Sequence, residues 1–272
     1  MRPLLVLVLL AAPALAQDLS FGSKPDETVE ASAVVFAAEL KSRSHFGFGE
    51  HGSREGELAF ANDLGLPATL PVLGLQGAFN FGVFGWVGGE VLGTVDHGEA
   101  SRLERLRQES QVTLQPGDVM TANARVVWGG LHYGYEVRLK LFDFLDLAAS
   151  PTLGFGFFTL DAYVKRVLPT FTTDLGGNAA AFVITPGARL QVEAFDVVRL
   201  GCDLETGLTG LRFAVSTPHV DLWERVRVYL GVTFFNVDLT VGWRLMATHI
   251  EGDGKAVDLR LRGVDASLGV RF

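Results

Sequence analysis

The sequence predicts an all-β protein: a transmembrane antiparallel up-and-down β-barrel of about ten strands, within a range of eight to twelve. Three observations predict it. Apolar and polar residues alternate with a period of two in segment after segment, tight turns alternate with long loops, and the last alternating segment ends in Phe272. The 272 residues are 48% hydrophobic, yet no interior run reaches the ~18 apolar residues that a membrane-spanning helix needs.

Charge and cysteine content exclude several other classes. The net charge of -8 argues against a nucleic-acid partner, because polyanions need a basic face. The single cysteine, Cys202, excludes an intramolecular disulfide and a Cys-cluster metal site. We expect no cofactor and no metal.

The N-terminus predicts a secretory signal peptide over residues 1–16. Arg2 precedes an apolar run from Leu4 to Leu10, and the small residues Ala14 and Ala16 follow it. We expect a periplasmic N-terminal segment over 17–32 and the barrel over 33–272.

Ten segments are predicted to be strands. In the clearest, Val237–Thr248, the odd positions are apolar, whereas Asp238 and Arg244 lie on the opposite face. The ten predicted strands are Val34–Phe48, Leu70–Phe81, Phe84–Val95, Met120–Val137, Leu147–Val164, Phe182–Ala194, Val198–Leu208, Val220–Phe234, Val237–Thr248 and Val257–Phe272. Where the apolar phase shifts, at Gly129-Gly130 and at Gly263, glycine predicts a β-bulge.

A soluble barrel with an apolar interior has the same period, and three features favour the membrane barrel. The strands are long for a soluble β-protein. Leu268, Val270 and Phe272 form an alternating C-terminal assembly signal of the kind that the barrel assembly machinery reads. Aromatic residues gather at the predicted periplasmic strand ends, as in a membrane-interface girdle: Phe81, Trp86, Tyr135, Phe195, Phe234 and Phe272. We therefore expect location in the bacterial outer membrane, with its lipid and the assembly machinery as partners.

One local motif lies in the first long loop. The segment Glu57–Leu66 ends in Asp63-Leu64-Gly65-Leu66. Together with the signal peptide, the barrel pattern and Phe272, it resembles a family of uncharacterised proteobacterial outer-membrane β-barrels with an Asp-Leu-Gly-Leu segment after the first strand. Ala61-Asn62 departs from the charged residues usual there. The resemblance implies a barrel in the outer membrane and supplies no catalytic residues.

Charged strand residues are expected to point into the lumen, because Arg or Lys on the lipid face near the midplane costs about 2–4 kcal/mol. Both signs are interleaved, and His132, Asp265 and Arg271 belong to the same inward set. The predicted lumen charge network is Glu39, Lys41, Arg43, Arg125, Glu136, Arg189, Glu193, Arg199, Asp203, Glu205, Arg225, Arg227, Asp238 and Arg244.

Two functions fit this lumen: a structural barrel closed by a salt-bridged plug, or a narrow charge-lined pore for small solutes. Inward glycines would leave room for water in the pore: Gly154, Gly156, Gly201, Gly207 and Gly231. A surface-loop binding protein is a further alternative, and oligomeric state is left open.

A different class is a lipid- or peptide-modifying enzyme, an outer-membrane hydrolase or acyltransferase, with its site at the extracellular rim. The candidate groups are Asp96-His97, His219 with Asp221, His249 with Glu251, and Asp161. Because no Gly-x-Ser-x-Gly or His-Glu-x-x-His motif occurs, the sequence predicts that the protein is not an enzyme.

Overall fold

The computed structural model describes residues 18–21, 29–40, 44–48, 57–105, 107–109, 112–167, 172–174, 177–208, 219–252 and 255–272. The predicted signal peptide and the predicted lumen residues Lys41 and Arg43 lie outside these ranges. Among the described residues, no helix has the length and apolar character needed to cross a membrane.

Apart from a short 3-10 turn, η1 (Gly82–Phe84), the regular elements are strands. They are β1 (Asp18–Phe21), β2 (Val29–Leu40), β3 (His45–Phe48), β4 (Glu57–Ala59), β5 (Thr69–Asn80), β6 (Trp86–His97), β7 (Ser101–Arg102), β8 (Arg107–Glu109), β9 (Val112–Leu114), β10 (Val119–Gly134), β11 (Val137–Phe142), β12 (Leu145–Val167), β13 (Thr172–Asp174), β14 (Gly177–Ala194), β15 (Val198–Thr206), β16 (His219–Phe234), β17 (Val237–Gly252) and β18 (Lys255–Arg271).

Ten strands close an antiparallel barrel, as predicted. They are β2, β5, β6, β10, β12 and β14 through β18, each paired with the next in chain order. The last strand, β18, closes the barrel by pairing with the first, β2, from Leu261 opposite Leu40 to Arg271 opposite Glu30. β1 pairs with β11, while β3 and β13 continue the wall at the loop end. Every wall strand thus has two neighbours, which satisfies the backbone as a bilayer core requires.

The strands are staggered around the barrel. Following paired residues once around from Val29 leads back to β2 about 12 residues further along. This stagger corresponds to a strand tilt of about 40°, as in membrane barrels.

An apolar belt surrounds the half of the barrel that carries the tight turns. Its outward side chains are large and hydrophobic, and Leu75, Leu131, Phe155, Leu230 and Leu268 are 53–69% exposed. Charged residues that alternate with the belt residues point inward, such as Glu90 beside the exposed Val91 and Asp238 beside the exposed Val237. This alternation is the one that a transmembrane barrel shows, with the turn end periplasmic and the loop end extracellular.

The predicted bulges at Gly129-Gly130 and Gly263 are wrong. β10 pairs with both neighbours without a register shift, and its even-numbered residues face inward from Met120 to Gly134. β18 likewise pairs without a shift around Gly263. In both strands the inward and outward side chains keep the same parity along the whole strand. The shift in the apolar pattern of the sequence must therefore have another cause.

That cause is an exchange of polarity between the two faces. Toward the turn end of β10, Leu131 faces out and His132 faces in, whereas toward the loop end Arg125 faces out and Trp128 faces in. The outer face changes from apolar to polar between Leu131 and Arg125, as expected where lipid gives way to water on the outside of the wall. The strands therefore rise beyond the belt as an extension with a polar outside and an apolar inside.

Aromatic side chains mark the turn-end edge of the belt. Those 49–70% exposed there are Phe81, Phe195, Phe234 and Phe272. Trp86 is a correction to the predicted girdle: it is 5% exposed and faces the lumen, with the Arg189 guanidinium 4.5 Å above its ring. Trp86 faces the lumen because the even-numbered residues of β6 are the ones that point inward.

Candidate functional site

The middle of the lumen holds a central charge cluster formed by Glu90, Arg225, Arg227, Arg244 and Asp265. Arg244 is completely buried and donates to both oxygens of Glu90 at 3.0 and 3.1 Å and to Asp265 at 3.0 Å. Arg225 lies 2.9 Å from Glu90, and Arg227 lies 2.7 Å from Asp265. Each acid thus has two arginine partners, which offsets the cost of burying its charge.

A second group, the mouth cluster, lines the turn end of the lumen. Arg199 donates to Asp238 at 2.6 Å, and Arg271 binds both Glu30, at 2.9 Å, and Asp238. Its members are Glu30, Glu136, Arg138, Glu193, Arg199, Asp238 and Arg271. Its four acids and three arginines nearly balance, which leaves the mouth cluster with a net charge of -1.

Two further pairs of polar side chains lie in the lumen beside the two clusters. Arg189 donates to Asp203 at 2.9 Å, and His132 Nδ1 lies 3.3 Å from Glu205 Oε1. Between these side chains lies a polar cavity of about 130 Å³. Its lining reaches from the mouth cluster to the central cluster, so it is accessible from the turn end.

Above the central cluster the lumen is filled by an apolar plug. The ring of Trp128 lies 4.4 Å from that of Trp223 and meets Phe158 edge-on at 5.8 Å. Plug residues no more than 2% exposed include Phe36, Leu58, Phe60, Leu64, Leu92, Leu103, Leu114, Met120, Trp128, Phe158 and Trp223. Several of them come from loops rather than from the wall, so the loops fold into the barrel.

The Asp-Leu-Gly-Leu segment is part of this plug. Asp63 accepts the backbone N–H of Ala59 at 2.9 Å and closes a turn, which places Leu64 and Leu66 in the buried core. Gly65 has a φ of +65°, and a Cβ there would overlap the backbone carbonyl of Glu99. Each of the four residues therefore helps to direct the loop into the lumen.

Ten residues of the predicted charge network lie inside the barrel: Glu136, Arg189, Glu193, Arg199, Asp203, Glu205, Arg225, Arg227, Asp238 and Arg244. Glu39 and Arg125 are corrections, because both lie on the outer face beyond the belt, where water covers the wall. There Glu39 accepts from Arg262 at 2.9 Å.

Sequence reasoning missed Glu30, Glu90 and Arg138, and it placed Glu30 in the predicted periplasmic segment 17–32. Glu90 was detectable, because it is the single charged residue in the predicted strand Phe84–Val95 and so had to face inward. Arg138 was not, because it lies beyond the end of its predicted strand, on β11.

The inward glycines do not leave room for water, which corrects the argument for a pore. A Cβ at four of them would overlap a side chain that lies flat against the wall. The pairs are Gly154 with His132, Gly156 and Gly207 with Trp223, and Gly201 with Tyr229, while a Cβ at Gly231 would lie 3.0 Å from Thr240. Glycine here lets large rings approach the backbone.

Of the rim candidates, the structure brings together His249 and Asp221. The His249 ring lies 3.8 Å from the carboxylates of both Asp221 and Asp258, on the outer face of the extension. The structure does not describe the side chains of His97, His219 and Glu251. In the described part of the chain, no group of three His, Cys, Asp or Glu residues is suited to hold a metal ion.

The comparisons with known proteins concern the fold alone. No family model and no curated protein matches the chain. Among solved structures, the outer membrane protease OmpT from Escherichia coli matches with a TM-score of 0.46 and 10% identity over 94% of this chain and 99% of that one. The translocator domain of the autotransporter NalP from Neisseria meningitidis matches with a TM-score of 0.39 and 10% identity over 100% and 96%. The attachment invasion locus protein Ail of Yersinia pestis matches with a TM-score of 0.30 and 10% identity over 89% and 99%. The fold is that of an outer-membrane β-barrel.

This result corrects the prediction that the protein is not an enzyme. One of the matching barrels is an outer membrane protease. At 10% identity the likeness is one of fold alone and assigns no activity to this chain.

Proposed function

We propose that the protein is a closed barrel of the bacterial outer membrane that acts through its extracellular extension and does not conduct solutes. The plug is the observation that carries the proposal. A continuous water path needs polar lining along the whole lumen, and the plug replaces that lining with packed apolar side chains from the central cluster to the loops.

The extension supports a role at the cell surface. Several strands continue well beyond the apolar belt, and their inward residues Met120, Val164, Ile250 and Val257 are no more than 1% exposed. A barrel that only spans the bilayer needs no such wall. A rigid extension instead holds loops at a fixed height, as binding or chemistry on a surface partner requires.

Single-channel recording tests the closed state. We expect the refolded wild type to be silent in a planar bilayer. Arg244→Ala should be silent too, because the plug lies above the central cluster. The double variant Leu64→Ser, Leu66→Ser should conduct, since it places two polar side chains within the apolar plug and leaves the wall unchanged. Steady conductance steps from the wild type would overturn the proposal, and heat-modifiable gel mobility would confirm insertion of each protein.

Cysteine labelling of intact cells tests location and orientation. In a Cys202→Ala background, Glu104→Cys places a thiol on an exposed loop at the loop end. Asp143→Cys is the matched control at the turn end, where the Asp143 side chain is 90% exposed. A membrane-impermeant maleimide should label only the first variant. Labelling of the second alone would reverse the orientation, and labelling of neither would refute surface exposure.

A further inference from the structure

Arg189 differs from the six arginines of the central and mouth clusters in its exposure. Its side chain is 32% exposed, whereas theirs are 0–12% exposed. Arg189 points inward and lines the polar cavity of the lumen. The exposed part of its side chain therefore borders the cavity, which is accessible from the turn end.

The contacts of Arg189 leave one edge of its guanidinium group open. Its Nε donates to Asp203 at 2.9 Å, and the ring of Trp86 covers one face with its centre 4.5 Å away. Neither terminal nitrogen has a hydrogen-bond partner among the residues that the structure describes. Arg225 and Arg244, in contrast, each bind two carboxylates. Two terminal nitrogens in one plane match the two oxygens of a carboxylate, so the open edge is suited to such a group.

Two further polar side chains lie on the same part of the wall. Gln191 is the next inward residue of β14 after Arg189, about 7 Å away along the strand. The hydroxyl of Tyr229 lies over Gly201, which is the register partner of Gln191. In the described part of the chain, neither the Gln191 amide nor the Tyr229 hydroxyl has a hydrogen-bond partner. Both groups are therefore available to a small molecule held by Arg189.

The cavity limits the size and the charge of such a molecule. A volume of about 130 Å³ holds roughly ten water molecules, or an organic molecule of similar size. Six acids and six arginines line the cavity, so their charges balance. A doubly charged anion would be repelled by the acids more strongly than a singly charged one. The cavity therefore favours a small anion with one charge.

We propose that the lumen cavity binds a small monocarboxylate, whose two oxygens accept hydrogen bonds from the terminal nitrogens of Arg189. The ligand enters from the turn end, because the apolar plug fills the lumen on the other side of the central cluster. This site is separate from the extension, and its occupancy does not depend on what the extension binds.

Calorimetric titration of the protein, refolded in detergent micelles, tests the ligand class. Propionate is the probe, and we expect saturable binding of one molecule per barrel. Propionamide has the same shape without the charge, and sulfate carries two charges in a tetrahedral arrangement. Both should bind about tenfold more weakly or less, because a hydrogen bond to a charged group contributes at least a factor of this size. Equal binding of propionamide or of sulfate would overturn the proposal, as would the absence of saturable propionate binding.

Variants of Arg189 test the assignment of the site. Arg189→Gln should weaken propionate binding about tenfold or more, and Arg189→Lys several-fold, because lysine keeps the charge but lacks the planar pair of donors. Arg262→Gln, on the outer face of the extension, is the matched control and should bind as the wild type does. Heat-modifiable gel mobility checks the insertion of each variant. Undiminished binding by inserted Arg189→Gln would refute the assignment. If that variant does not insert, the comparison of propionate with propionamide on the wild type still decides the ligand class, and Arg189→Lys decides the site.

Discussion

Replacing Arg244 tests whether the central charge cluster stabilises the barrel. Arg244→Ala removes two hydrogen bonds to Glu90 and two to Asp265 and leaves both acids buried. Removing one partner of a buried ion pair costs about 3–5 kcal/mol. Because Arg225 and Arg227 still neutralise the two acids, we expect the lower end, a loss of about 3 kcal/mol in the free energy of unfolding. Guanidinium chloride unfolding of the protein in vesicles, followed by tryptophan fluorescence, measures it.

Arg262→Ala is the matched control. Arg262 makes a two-pronged pair with Glu39 at 2.9 and 3.3 Å, but on the exposed outer face. Exposed pairs contribute about 0.2–1 kcal/mol, because water screens them. Equal losses in the two variants would refute the reasoning, since burial would then add nothing to the strength of the cluster.

Three further predictions concern the lumen wall, the lipid face and the extension. Gly156→Ala should destabilise the barrel by about 1–3 kcal/mol, because its Cβ overlaps the Trp223 ring; denaturant unfolding with no change would show that the ring moves aside freely. Trp243→Arg should cost about 2–4 kcal/mol, because the side chain is 42% exposed on the lipid face; unimpaired insertion and stability would place that face elsewhere. Burial raises the pKa of Asp258, on the extension, but hydrogen bonding to its neighbours, including Arg260 at 3.1 Å, outweighs burial and holds the pKa below 3.8. The stability that this carboxylate contributes is therefore present above about pH 4 and is lost as the pH falls through its folded pKa. Unfolding at several pH values should show Asp258→Asn less stable than the wild type at pH 7 and equal to it in acid, and a difference independent of pH would contradict this.

Local alternation was enough to predict the wall. In β17, the residues from Val237 to Trp243 alternate between lipid and lumen as the sequence indicates, because the two environments differ sharply in polarity and a strand side chain can face only one of them. The same energetic rule placed Arg244 and Asp238 inside. The rule fails at Arg125, because it assumes that lipid covers the outside of the wall along the whole strand. The sequence does not indicate the height at which the lipid ends.

The plug could not be predicted, because it joins residues that are distant in sequence. Leu64 comes from a loop, Trp128 from β10 and Trp223 from β16, and nothing local states that they meet. The Trp223 side chain also lies over Gly156 and Gly207, two glycines that the sequence analysis expected to leave room for water.

The sequence by itself determined the period of the strands, the direction of the charged side chains within the belt and hence a barrel with charges inside an apolar belt. The tertiary structure alone decided that apolar side chains from the wall and the loops pack together inside the lumen, that its charges form a paired cluster around Arg244, and that the wall rises beyond the belt. The physical reason is that alternation is a property of one strand in its two environments, whereas filling a lumen depends on which side chains from different strands and loops meet at its axis.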